Sequence, residues 1–293
     1  MSREEPVGEP VPLAPLGVWR SLVARSVRVG EAPSSNLGTP IAWAGEDLGF
    51  SPACPSGEPG LYPRGVSYVS RVRTVIFDVD FTLVRPGPDL GASAYRELGR
   101  RYGLELDVDK YEEAREASFA AVERHPDLDH DEEIWIRFTE RIIIGMGGRG
   151  ETYSAAVEME RRWVHAAHFE LYDDALPALE RLRAHGLKIG LLSNSSRDLG
   201  EFVAHHGLVV DAALTSHVHG KTKPHESIFR ALLDRLQASP EEAVMVGDTV
   251  DDDVVGARAV GMRAILVDRY GRYPAFEGRL DDLTGLPAAL GLN

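Results

Sequence analysis

Apolar positions along this chain fall into two regimes that meet near residue 70. Before it, prolines and glycines break every short apolar run, as in Pro6-Val7-Gly8-Glu9-Pro10 and Glu58-Pro59-Gly60. A stretch of this kind buries too little apolar surface to offset its ordering entropy, so residues 1–68 are expected to be a disordered tail. Some bacterial genes start at a valine codon, and a chain beginning near Val66 is the companion expectation. From Val72 the pattern changes. Val72-Arg73-Thr74-Val75-Ile76-Phe77 is a β-branched, apolar run that reads as a buried strand.

Four helical patterns follow, at about 89–102, 109–124, 131–146 and 151–167. The third is the clearest: Ile134, Phe138 and Ile142 fall at i, i+4 and i+8, Trp135 widens the stripe, and Gly147-Gly148 supplies a stop. Helix and strand then alternate. Helices are expected near 174–185 and 197–206, from Pro224 to about 237, and at 252–260; strands at Lys188–Ser193, 209–214, Ala243–Val246 and Ala264–Val267. Strands alternating with helices predict an α/β fold, a doubly wound parallel sheet covered on both faces. The four-helix block interrupts it after the first strand. The expected organisation is a core of residues 69–86 and 172–293, with a helical cap at 87–171.

Composition narrows the chemistry. The 293 residues carry a net charge of -14, which disfavours nucleic acid and anionic membrane as partners. No apolar run is long enough to span a bilayer, and the start of the chain does not resemble a secretory signal. Cys54 is the single cysteine, which excludes an internal disulfide and a cysteine-based zinc site and fits a cytoplasmic location. A phosphate substrate on so acidic a protein would need a local divalent cation.

In doubly wound sheets, ligands bind beyond the carboxyl ends of the strands. Asp78, Asp80 and Thr82 follow the first strand, Ser193 and Asn194 end the second, and Lys221 and Lys223 precede a helix. Asp248, Asp251, Asp252 and Asp253 follow the Ala243–Val246 strand. If the chain stays extended past Asp78, Asp78 and Asp80 point the same way. Acids, hydroxyls and a lysine thus gather on one rim, the set that phosphoryl transfer needs. Only four of the 32 basic residues are lysines, yet two lie in one loop. Lys223 is the candidate of the two; Lys221 is read as a surface or secondary substrate residue, and Arg85 as a surface residue or a substrate contact. Asp251 reads as a helix N-terminal charge. His217 and His219 lack a third nearby ligand and are expected to face solvent.

Asp78-Val79-Asp80-Phe81-Thr82-Leu83 resembles the first motif of the haloacid dehalogenase-like hydrolase superfamily. Leu191-Leu192-Ser193-Asn194, Lys223-Pro224, and Gly247-Asp248-Thr249 with Asp253-Val254-Val255-Gly256-Ala257 resemble its second, third and fourth, in the same order. The resemblance implies a phosphatase in which Asp78 is the nucleophile, Asp80 the general acid and base, and Lys223 the charge-neutralising lysine. It implies phosphoryl contacts from Thr82, Ser193 and the neighbouring Asn194. Mg2+ would be held by Asp78, Asp80 (through its carbonyl), Asp248 and Asp253, with Asp252 as the alternative to Asp253. Phe81 stands where relatives commonly have glycine. The expected substrate is a small phosphate ester. A phosphomutase, a dehalogenase and a non-catalytic binding protein of the same fold are the alternatives, and Asp80 speaks against the dehalogenase.

Overall fold

The computed structural model describes residues 72–292. The expectations for residues 1–68 and for Val66 lie outside them. Five parallel strands form the central sheet: β1 (Thr74–Phe77), β4 (Lys188–Ser193), β5 (Ala212–Thr215), β6 (Ala243–Gly247) and β7 (Arg263–Leu266), in the order β5-β4-β1-β6-β7. Thr74 lies in register with Lys188 on one side and Ala243 on the other. The chain first builds outward from β1 to β5 and then returns to β6. The strand order therefore reverses at β1, where such folds open a crevice.

Burial on both faces explains the sequence of these strands. All four β1 residues and all five β6 residues are buried. Side chains alternate across the sheet. Val75 and Phe77 join a core with Leu179 of α5 (Ala175–Ala184) and Phe202 of α6 (Leu199–His205). Ile76 and Met245 join the opposite core with Phe229 and Leu232 of α8 (Glu226–Leu236). The helices end where the sequence signals. α5 stops before Gly186 at φ 75° and α6 before Gly207 at φ 64°, a left-handed backbone that glycine adopts without a Cβ penalty.

Between β1 and the rest of the sheet lie α1 (Ala92–Arg101), α2 (Tyr111–Ala120), α3 (Glu132–Gly145) and α4 (Thr152–Trp163). They have their own core of Tyr95, Leu98, Trp135, Phe138, Ile142 and Met159. Trp135 and Phe138 pack edge to face, with centroids 5.6 Å apart. Asp131 caps α3 by accepting a hydrogen bond from the Glu133 amide at 3.0 Å. The buried stripe is rotated from the expected one: Ile134 is only half-buried, and Thr139 and Ile143 take the inner face beside Trp135. Thr139 donates to the buried Glu160 of α4.

Several short elements were not anticipated. β2 (Val84–Pro86) and β3 (Phe169–Leu171) pair antiparallel, so the two strands linking the helical insert to the core form one ribbon. Both are three residues long, too short for a periodic signal. α7 (Ser216–His219) is a single turn. The expected helix at 252–260 is instead a π-helical turn, Val250–Val255, running into α9 (Gly256–Ala259). Pro224 lies outside α8, whose cap is His225. The described chain closes with α10 (Leu286–Ala289).

Candidate functional site

β1 ends at Phe77, and the chain then folds back on itself. The amides of Leu83 and Val84 both donate to the carbonyl of Val79, at 2.9 and 3.1 Å, and the Phe81 amide donates to the Val84 carbonyl at 2.7 Å. This turn holds Phe81 at φ 63°, the left-handed region where an L side chain is strained by roughly 1–2 kcal/mol. That is the position where the resemblance to the first motif leads one to expect glycine. The turn also replaces the extended path expected past Asp78. It returns Thr82 to Asp78: the Thr82 hydroxyl donates to Oδ2 of Asp78 at 3.1 Å.

Asp78 is wholly buried, and so are Lys223 and Asp253. Nζ of Lys223 donates to Oδ1 of Asp78 and to Oδ1 of Asp253, each at 2.6 Å. Burial alone would discharge the lysine, but Asp253 and Asp78 together hold it above the ordinary lysine range. Burial lifts the Asp78 carboxyl to about 7 despite Lys223, with Asp253 and then Asp80 adding to the rise. Asn194 grips the lysine's backbone, accepting from its amide at 2.8 Å and donating to its carbonyl at 3.2 Å. The structure thus places the Asn194 amide on Lys223.

The π-helical turn aims Asp253 inward. Oδ2 of Asp253 accepts from the Thr249 amide at 3.0 Å and the Thr249 hydroxyl at 2.8 Å. Gly247 makes room for it, since a Cβ there would sit 2.2 Å from Cγ of Asp253. Asp248 is held by Arg272, whose Nη2 donates to Oδ2 at 2.7 Å and to the Asp248 carbonyl at 3.0 Å. Burial pushes the Asp248 carboxyl well up, against Arg272. Asp252 points elsewhere: Nη2 of Arg124, from the helical insert, lies 2.8 Å from its Oδ1. Burial raises Asp252 to about 7, with Arg124 opposing.

Carboxylate oxygens of Asp78, Asp248 and Asp253 lie within 4.8 Å of one another. Oδ1 of Asp248 is buried and accepts no hydrogen bond among the described residues. Buried oxygen with no donor, beside two further carboxylates, suits a hard divalent cation such as magnesium. The residues present therefore fit the expected metal, with Asp253 and not Asp252 in the cluster.

Asp80 sits apart from the lysine. Its Oδ1 accepts from Nη2 of Arg197 at 2.9 Å, and Ser193 makes a long 3.5 Å contact to its Oδ2. Both members of the Arg197–Asp80 pair are 1% exposed. The Arg197 guanidinium stacks 3.8 Å from the Phe169 ring centroid and reaches the Trp163 carbonyl at 3.3 Å. Ser193 also donates to Ser195 at 2.9 Å.

Sequence reasoning missed Arg197 and Arg272. Arg197 lies just beyond the end of β4, on the rim where every other candidate was found, and that position was its only signal. Arg272 belongs to a turn in which Asp268 accepts from the Arg272 and Tyr273 amides, at 2.7 and 2.8 Å, and no periodicity marks it. Arg85 pairs with exposed Glu170 at 3.2 Å, and Lys221 with Asp129 at 2.6 Å. No helix among the described residues is long and apolar enough to cross a membrane.

Comparison with known proteins agrees with this geometry. A family model described as haloacid dehalogenase-like hydrolase matches residues 72–261. Phosphatase MT3486 of Mycobacterium tuberculosis is 41% identical over 124 residues; the match covers 41% of this chain and 55% of that protein, so this chain spans about half its length. The phosphoserine phosphatase of Thermus thermophilus is 31% identical over 231 residues, covering 68% of this chain and 89% of the relative. Among solved structures, a phosphatase of this family from Thermococcus onnurineus superposes with a TM-score of 0.53 at 28% identity, covering 75% of this chain and 98% of that one. The sheet order, the four motifs gathered on its rim and these matches together make the chain a phosphatase-type member of the haloacid dehalogenase-like hydrolases, and a hydrolytic enzyme.

Proposed function

We propose that this protein hydrolyses a small phosphomonoester with magnesium, through a phosphoryl group carried on Asp78. The observation that carries the reading is the buried set of Asp78, Asp248, Asp253 and Lys223 at the carboxyl ends of β1 and β6. Bound there by Asp78, Asp248, Asp253 and the Asp80 carbonyl, magnesium would neutralise the phosphate's charge in an acidic protein. Lys223 carries its positive charge to Oδ1 of Asp78, and Thr82 and Ser193 would offer hydroxyls to the phosphoryl oxygens. Asn194 keeps Lys223 in line by its paired hydrogen bonds.

In the first half-reaction an Asp78 oxygen forms a bond to phosphorus and the bond to the ester oxygen breaks. Asp80 gives that oxygen its proton, so the alcohol leaves neutral. In the second, Asp80 takes a proton from water as the water oxygen bonds to phosphorus. The bond to Asp78 then breaks, restoring its carboxylate and releasing phosphate. The helical insert would act as a cap: the site's carboxylates and Lys223 are buried, so opening of the insert would admit substrate and its closure would exclude water. The single cysteine supports a reducing, cytoplasmic setting.

Phosphate release from a panel of small phosphomonoesters, with and without magnesium, tests the reading. Magnesium-dependent turnover that vanishes in Asp78→Asn supports it. Turnover that survives this substitution in folded protein overturns it.

A further inference from the structure

His217 finds in the fold the third donor that the sequence did not offer. The loop before α3 brings His130, and the first residue of α3 brings Glu132, against α7 of the core. Nε2 of His130 lies 3.3 Å from Nδ1 of His217. Oε1 of Glu132 lies 3.4 Å from the same Nδ1 and 3.8 Å from Nε2 of His130. Three different donor atoms thus form one small triangle.

A tetrahedral zinc ion with bonds of about 2.0–2.1 Å sets its ligands roughly 3.4 Å apart. The triangle has the dimensions of one face of that tetrahedron. The outer hydrogen bond that ligating histidines usually make is present too: Nδ1 of His130 lies 3.2 Å from the Ser216 hydroxyl. A proton on Nδ1 leaves the Nε2 lone pair turned toward His217 and Glu132. The Ser196 hydroxyl, 3.0 Å from that Nε2, stands where it can hydrogen-bond a water in the fourth position. Two imidazoles and one carboxylate favour a borderline transition metal, whereas magnesium prefers oxygen alone. No residue is shared with the Asp78, Asp248 and Asp253 cluster.

We propose that His130, Glu132 and His217 form a site for a zinc-class divalent metal that fastens the helical insert to the core. His130 and Glu132 come from the insert side and His217 from the core side, so the metal closes a link between them. Separation of the insert from the core breaks the site, and occupancy opposes that separation.

The test uses the full chain in saturating magnesium, so that the carboxylate cluster is filled. Calorimetry should show one zinc per chain, and cobalt should give the intense visible bands of four-coordinate nitrogen–oxygen ligation. Zinc should raise the melting temperature by several degrees. His217→Ala removes a half-exposed ligand, and Glu132→Gln a carboxylate charge. His217→Ala should weaken zinc at least about 100-fold, more than changes in an outer hydrogen bond do, and abolish the melting shift. Equal zinc affinity in folded His217→Ala overturns the proposal. So does the absence of a stoichiometric zinc site, or zinc binding that disappears with Asp248→Asn instead.

Discussion

Nη2 of Arg197 and Oδ1 of Asp80 meet at 2.9 Å in a pair that is closed to solvent and stacked on Phe169. Removing one partner of a buried pair leaves the other charge without compensation, at a cost of about 3–5 kcal/mol. Arg197→Met should therefore melt well below the wild type, and Arg197→Met with Asp80→Asn should recover most of that loss. Only turnover should stay low in the double variant. If Arg197 positions Asp80 for the proposed proton transfer, the single variant should lower kcat about 10- to 100-fold with KM changed less than about threefold. Thermal melts of the cycle and steady-state kinetics check both parts.

Asp78→Asn removes the proposed attacking carboxylate while keeping its shape. Turnover should fall at least about a thousandfold. Stability should not fall: Asp253 still holds Lys223 at 2.6 Å, and one buried acid is gone. A metal-free melt at or above the wild-type temperature is the expected result.

Asp253 and Asp252 are neighbours with separate partners. Asp253→Asn should weaken magnesium at least about tenfold, since Asp253 belongs to the carboxylate cluster and holds Lys223. Asp252→Asn should leave magnesium affinity within about threefold and instead loosen the Arg124 contact with the insert. Calorimetric titration of each variant distinguishes them.

Burial lifts Asp78 and Asp252 from 3.8 to about 7 in the metal-free chain. Between those values the folded protein holds protons that the unfolded chain has released, so metal-free stability should fall as pH rises through that window. Magnesium bound at the proposed site would displace the Asp78 proton, so its stabilising effect should grow over the same range. The rise in melting temperature on adding magnesium should be several degrees larger at pH 8 than at pH 5. Equal rises would contradict the assignment.

The strands and the rim were legible because burial and chemistry leave strong local marks. β4 shows the expected bounds, Lys188–Ser193, since a strand covered on both faces must be apolar almost throughout. Asp78 follows β1 and Asp253 lies in the turn after β6, and the loop between α7 and α8 brings Lys223 between them. What the sequence hid was non-local. β2 and β3 are held by pairing with each other across the insert. Arg197 and Arg272 look like any of the chain's other arginines until the fold places them on a carboxylate. Ile134 showed how a stripe can be rotated by one position when a neighbouring residue, here Trp135, fills the interior better. Phe81 marked a turn that periodicity could not foresee, because its left-handed backbone follows from the folded loop.

The loop between α2 and α3 lies along the segment that carries the lysine. The Thr222 amide, one residue before Lys223, donates to the Leu128 carbonyl at 2.8 Å, and the His130 amide donates to the carbonyl of Gly220, three residues before Lys223, at 3.0 Å. If the proposed opening parts Leu128 from Thr222, it would remove the insert's hold on the residue before Lys223, leaving Asn194 to keep the lysine's backbone in place. On that reading an open molecule would bind substrate before the site is fully assembled around the lysine. Esters too bulky to let the two segments zip together again would occupy the site as unreactive competitors, so selectivity among phosphate esters would show itself in which ones turn over more than in which ones bind.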